Sequence, residues 1–294
     1  MSEWKVEDVL TARARLGECP VWDRERGLLA WVDVYNHRVH QFDPATGRDR
    51  YFDTEEAVAA IALTRDERLL LALVDRLALL DPRSGRLEEL CRLPLGHPDT
   101  RLNDGKCDAR GRFWGGTMDF AVRAPTGALY RFDTEGRAQR AIDLGWIVTN
   151  GPTWTQDGRT MLVNDTVHRR VVAYAFDADT GAVGASREWL VLPPADGHPD
   201  GMTTDAAGRI WIAHWGGACV TCHDPATAAE LARIALPTDH ITNVAFGGAD
   251  MTTLFISSAK FELADAQLAA QPLAGALFAV ETDALGLAAN LFAG

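Results

Sequence analysis

Four oxygen-bearing side chains, Glu18, Asn103, Asn150 and Asp200, recur at one register of a repeated pattern. Asn103 lies five residues before Asp108 and eight before Gly111-Arg112, which leads into Phe113-Trp114. Asp200 lies five before Asp205 and eight before Gly208-Arg209, leading into Ile210-Trp211. Asn150 lies eight before Gly158-Arg159, and Glu18 lies five before Asp23. Equivalent positions of a closed repeat fold face a common axis, so side chains spread over most of the chain can converge. Two carboxylates and two amide oxygens at one point make a site for a hard cation. Any single Asn-Gly or Asp-Gly pair reads as an ordinary turn. The shared offset argues for more, as does Glu18, which stands between Gly17 and Cys19-Pro20 and has little turn propensity.

The elements that must position these groups repeat as well. Units begin near Pro20, Ala60, Gly105, Gly151, Gly201 and Val244, a spacing of about forty to fifty residues that suits four-stranded propeller blades. Many units carry an Asp/Gly/Arg turn, then a segment rich in Val, Ile, Leu and aromatic residues, then a second turn. Examples of the second turn are Asp43-Pro44-Ala45-Thr46-Gly47, Asp81-Pro82-Arg83-Ser84-Gly85 and Asp177-Ala178-Asp179-Thr180-Gly181. Long helical periodicity is absent, and Ala264–Ala270 reads as a short helix or turn. The expectation is an all-β, six-bladed β-propeller filling residues 1–294. The Trp4–Leu10 segment is expected to add a strand to the last blade and so remove an exposed edge. The same register puts Ala59 and Thr242 at the two remaining inward positions. A shift of one residue matches Asp104-Gly105 to Asp200-Gly201, leaving Asp104 either inward-facing or part of a turn.

Composition narrows the function classes. Net charge is −12 and the 29 Lys and Arg are scattered, so neither nucleic acid nor an anionic membrane is expected as a partner. The most apolar run, Leu69–Leu80, is interrupted by Asp75 and Arg76, and the N-terminal segment lacks the apolar core of an export leader. A cytoplasmic location is the expectation; whether the protein is a monomer or a dimer stays open. Five cysteines suit a reducing compartment. Cys219-Val220-Thr221-Cys222-His223 matches a haem-attachment spacing, but it reads as a strand whose two cysteines point to opposite faces. No G-x-S-x-G, H-E-x-x-H or Walker-type loop is present.

Several motifs together resemble the regucalcin/gluconolactonase family. They are Leu16-Gly17-Glu18-Cys19-Pro20-Val21-Trp22, Arg101-Leu102-Asn103-Asp104-Gly105-Lys106, Thr149-Asn150-Gly151-Pro152, Pro199-Asp200-Gly201-Met202 and Phe246-Gly247-Gly248-Ala249-Asp250. The match runs from about residue 10 to the end. The resemblance implies one divalent cation (calcium, zinc, manganese or iron) in the central channel, held by Glu18, Asn150 and Asp200 with Asn103 close by. It implies hydrolysis of a sugar (aldono-) lactone, with Arg101 and Asn103 binding substrate. Some members carry an acidic pair after their Gly-Thr-Met motif; here Gly116-Thr117-Met118 runs into Asp119-Phe120-Ala121, with Asp119 as the partial replacement in substrate binding. Asp200, a carboxylate beside the cation, is the expected general base, and Glu18 an anionic ligand only. Two other functions fit the same scaffold: another metal-dependent hydrolysis such as phosphotriester cleavage, and calcium binding without catalysis. Trp114, Trp154, His214 and Trp215 are either pocket walls or core.

Overall fold

Strand-forming runs cut by Asp–Gly turns fold into six four-stranded antiparallel sheets, seen in a computed structural model that describes residues 4–133 and 137–294. The first three residues of the segment read for an export leader lie outside the described residues. The first strands of the six blades are Gly17–Asp23, Ala60–Leu63, Thr100–Cys107, Thr149–Trp154, His198–Thr204 and Ile241–Gly247. Each packs against the first strands of its two neighbours, so together they wall a central channel. All six starting points expected from the sequence fall inside these strands. The sixth sheet runs Val6–Leu10, Leu277–Glu281, Thr253–Ser258, Ile241–Gly247, so the N-terminal strand forms the outer edge of the last blade. A short helix, Asp265–Ala270, lies within the same blade. Among the described residues no helix is long and apolar enough to cross a membrane.

The recurring acids are explained by their bonds. Asp43, Asp81 and Asp177 each close a turn by accepting the amide of a glycine four residues on, and Gly47, Gly85 and Gly181 sit there with φ near +70°, where an L side chain is disfavoured. The acids five residues past the inward register brace the blades. Asp108 Oδ2 accepts from Arg112 Nε at 2.7 Å and Trp114 Nε1 at 2.8 Å. Asp205 Oδ2 repeats this with Arg209 Nε at 2.6 Å and Trp211 Nε1 at 2.9 Å. Half of the repeated pattern is therefore structural, and Trp114 belongs to the core through this bracket.

The C-terminal segment crosses one face of the ring. Asp205 bridges Gly286, Asn290 Nδ2 donates to Cys107 O at 3.1 Å, Thr64 bridges Phe292, and Ala293 N donates to Gly111 O. Residues 287–290 thus wall a cavity of about 250 Å³ at that end of the channel, beside Trp154 and Lys106.

Candidate metal centre

Irregular pairing is what turns the four side chains of the shared register toward the opposite end. In five of the six blades the ladder between first and second strands slips at the inward position: between Glu18 and Val21, Leu102 and Gly105, Asn150 and Thr153, Pro199 and Met202, and Ile241 and Asn243. A bulge adds an unpaired residue, bends the strand and re-aims its side chain. Blade 2 pairs Ala60–Leu63 with Leu69–Ala72 without a slip, and its Ala59 is a buried apolar residue. In blade 6, Thr242 Oγ1 donates to Gly17 O at 2.5 Å, so it seals the seam with blade 1. The next residue, Asn243, enters the channel instead and donates to Glu18 Oε2 at 3.1 Å. Sequence register alone missed Asn243 by the one residue that the bulge inserts.

Glu18, Asn103, Asn150 and Asp200 line one cavity of about 220 Å³, together with Tyr35, Arg101, Thr166, His198, Trp215, Phe261 and Glu262. A chain of hydrogen bonds sets the amides. Arg101 Nη1 donates to Asn103 Oδ1 at 3.0 Å, Asn103 Nδ2 to Asn150 Oδ1 at 2.8 Å, Asn150 Nδ2 to Thr166 Oγ1 at 2.9 Å, and Thr166 Oγ1 to Pro199 O at 2.9 Å. Asn150 thereby presents its oxygen, not its nitrogen, toward the cavity side shared with Asn103. Asn164 Nδ2 donates to Asp200 O and fixes that strand. Glu18 Oε2 also accepts the Cys19 amide at 3.0 Å. Packing here is tight: a Cβ on Gly201 would stand 2.0 Å from Asn243 Cγ, so only glycine leaves Asn243 in reach of Glu18.

Three buried carboxylates meet in this part of the channel. Asp104, left open by the sequence, points inward and accepts the amides of Gly105 at 2.7 Å and Gly151 at 2.9 Å. Burial raises the Glu18 pKa to about 8, with repulsion from Asp104 adding to it. Burial also lifts Asp200 well above the carboxylate range, helped by repulsion from Glu18 and Asp104. Asp104 is raised by burial and held back by the Lys106 ammonium. Lys106 donates to Met202 O at 2.5 Å, and its own pKa is lowered by burial.

Buried carboxylates in mutual repulsion are costly unless a cation joins them. The donors are all oxygens, which suits a hard divalent ion. Among the described residues no three His, Cys, Asp or Glu side chains cluster tightly enough to form a metal site by themselves. The Asn150 amide oxygen adds a further oxygen donor to the cavity that Glu18 and Asp200 line, and an all-oxygen donor set of this kind fits one divalent cation.

The other expected site residues fall in different places. Arg101 is buried at the cavity wall, its Nη2 3.4 Å from the Tyr35 hydroxyl. Asp119 Oδ2 accepts the amides of Arg123 at 2.8 Å and Ala124 at 3.1 Å, which hold its pKa low; the side chain caps the loop that carries Val122 to the cavity and is not among the cavity's own lining. His214 is fully buried between Asp196 O, 2.8 Å from Nδ1, and Thr221 Oγ1, 2.6 Å from Nε2, and burial lowers its pKa to about 4. It is a blade-core histidine. Trp154 flanks the far cavity, and Trp215 alone of the four aromatic or imidazole candidates lines the carboxylate-bearing one, stacked on His240 with centroids 3.9 Å apart. Cys219 and Cys222 are buried on opposite faces of one strand.

Residues 16–260 match the model of the SMP-30/Gluconolactonase/LRE-like region. The chain belongs to this family. It is 36% identical over 285 residues to the pentonolactonase XacC of Haloferax volcanii, covering 96% of each chain. It is likewise 36% identical to the 6-deoxy-6-sulfogluconolactonase of Pseudomonas putida, covering 95% of each. Among solved structures, the calcium-binding regucalcin of Agrobacterium tumefaciens superposes with a TM-score of 0.92 at 28% identity, over 98% of this chain and 97% of that one.

Proposed function

We propose that this protein opens a sugar lactone to its aldonic acid, with a divalent cation held by Glu18, Asn150 and Asp200. The observation that carries this reading is the cavity floor: buried carboxylates short of positive charge, beside a fixed amide oxygen, in a chain whose relatives include named sugar lactonases. A cation bound there would polarise the lactone carbonyl and stabilise charge developing on its oxygen as water attacks. Asp200 accepts the proton of the attacking water and returns one to the ring oxygen as the carbon–oxygen bond breaks. Glu18 stays an anionic ligand, because its Oε2 is already engaged by Cys19 and Asn243. Arg101 has donor capacity left beyond Asn103 and Leu102, and it orients substrate hydroxyls from the wall.

The test is a metal-free preparation assayed on a panel of aldonolactones with each divalent ion restored in turn. Turnover that returns with at least one ion is expected. Undiminished hydrolysis without metal overturns the metal-dependent reading, and faster cleavage of phosphotriesters than of any lactone replaces the substrate class.

Arg101→Ala is expected to cut kcat/KM on a polyhydroxylated lactone by roughly ten- to a hundredfold, the value of a hydrogen bond to a charged donor. On δ-valerolactone, which has no hydroxyls, the loss should be small. Equal losses on both substrates would assign Arg101 to holding Asn103 alone.

A further inference from the structure

Glu262 has three features that the lactone chemistry at the cavity floor does not use. It is exposed, it lines the cavity, and its φ of +65° lies in the left-handed region that L side chains rarely adopt. The loop is pinned in that shape: Lys260 N donates to Ala14 O, Phe261 N to Arg15 O at 2.9 Å, and Leu263 N to Lys260 O. A strained residue held by its surroundings at the rim of a site points to function. Among the described residues its carboxylate has no hydrogen-bond or ion-pair partner.

The position of the rim relative to the floor decides what would meet this carboxylate. Glu18 and Asp200 are buried, so a lactone carbonyl that reaches them lies deep, and the exocyclic carbons of the sugar must extend outward. The outer wall offers aromatic surface for C–H faces. Trp215 lies flat on His240, and Phe261 meets Tyr35 with centroids 4.6 Å apart. Met118, Val122, Val148 and Val167 add apolar surface that cannot bond hydroxyls, in a cavity that Thr166, His198 and Arg101 also line. An ionised carboxylate is acceptor-only and pairs well with adjacent hydroxyls, whereas it repels a second anion across a partly desolvated pocket.

On the lactonase reading, the geometry points to Glu262 as a specificity-determining residue. It accepts hydrogen bonds from the exocyclic hydroxyls of a neutral sugar lactone and disfavours lactones that carry an anionic group at that end.

The test compares wild type, Glu262→Gln and Glu262→Gly on glucono-δ-lactone and on a glucarolactone, which bears a terminal carboxylate. Wild type should prefer the neutral substrate. Glu262→Gln should keep neutral-substrate kcat/KM within about threefold and raise that for the anionic one by about tenfold. Glu262→Gly should lose about tenfold on the neutral lactone, mostly through KM, while its Tm rises because glycine accepts the positive φ. A purely structural role would move Tm and leave the neutral-to-anionic ratio untouched. An unchanged ratio in two active variants overturns the role of Glu262. Inactivity of wild type on these two and on the whole panel of aldonolactones overturns the lactonase reading itself.

Discussion

Asp200→Asn is expected to lower kcat for sugar-lactone hydrolysis by at least about a hundredfold with the divalent ion saturating, the usual worth of a positioned general base. The substitution keeps size and one oxygen, so the backbone bond from Asn164 and the bulge at Pro199–Met202 should survive. The asparagine cannot accept a proton from water. Titrating metal separates the two roles of this side chain: lost affinity shifts the midpoint, while a lost base lowers the plateau. A variant that regains the wild-type plateau at high metal would make Asp200 a ligand only and place the base elsewhere in the channel.

The second large effect concerns Glu18 and should change sign with metal. In metal-free protein Glu18 is a buried acid pushed up to about 8 by burial and by Asp104. Glu18→Gln removes that repulsion, so the metal-free variant should be at least as stable as metal-free wild type. Wild type at a hundredfold excess of metal over Kd gains about 2.7 kcal/mol of stability. The variant should lose most of that gain, since a neutral amide replaces an anionic ligand. Thermal melts of both proteins with and without the ion decide this. A variant less stable than wild type without metal, yet equally stabilised by it, would show that Glu18 braces Asn243 and Cys19 and does not ligate.

Much of the architecture was readable because its signals are local. A turn needs an acid and a glycine at fixed spacing, and the chain repeats that spacing at Asp43, Asp81 and Asp177; the hydrogen bonds are made within five residues. A repeat of about forty to fifty residues with such turns leaves few folds other than a ring of blades. The brackets at Asp108 and Asp205 show the limit of that reading. The same offset that marks the inward residues also marks a purely structural acid, and sequence spacing cannot tell a side chain aimed at the axis from one aimed at a neighbouring arginine.

Register arithmetic failed where the backbone left its ladder. Counting placed Thr242 at the inward position, but a bulge of one residue sends Thr242 to the blade seam and Asn243 to Glu18. Asp104 stayed undecided for the same reason, since Asn103 and Asp104 both fall within one bulge and both face the channel. Tyr35, Phe261 and Glu262 carry no signal at all in the chain, because loops from different blades bring them to the rim. Position left His214 open between pocket wall and core, and strand alternation with Thr221 buries it in the blade.

The sequence by itself determined the all-β ring, its six units and the four oxygen donors at one register, because turn chemistry and period are properties of neighbouring residues. Tertiary structure alone decided that three carboxylates share the channel with Lys106, that residues 287–290 wall its far end, and that a glutamate with no hydrogen-bond or ion-pair partner among the described residues stands at the open rim. Those facts depend on contacts between residues up to 225 positions apart, such as Asn243 with Glu18, and closure of the ring is what brings such residues together.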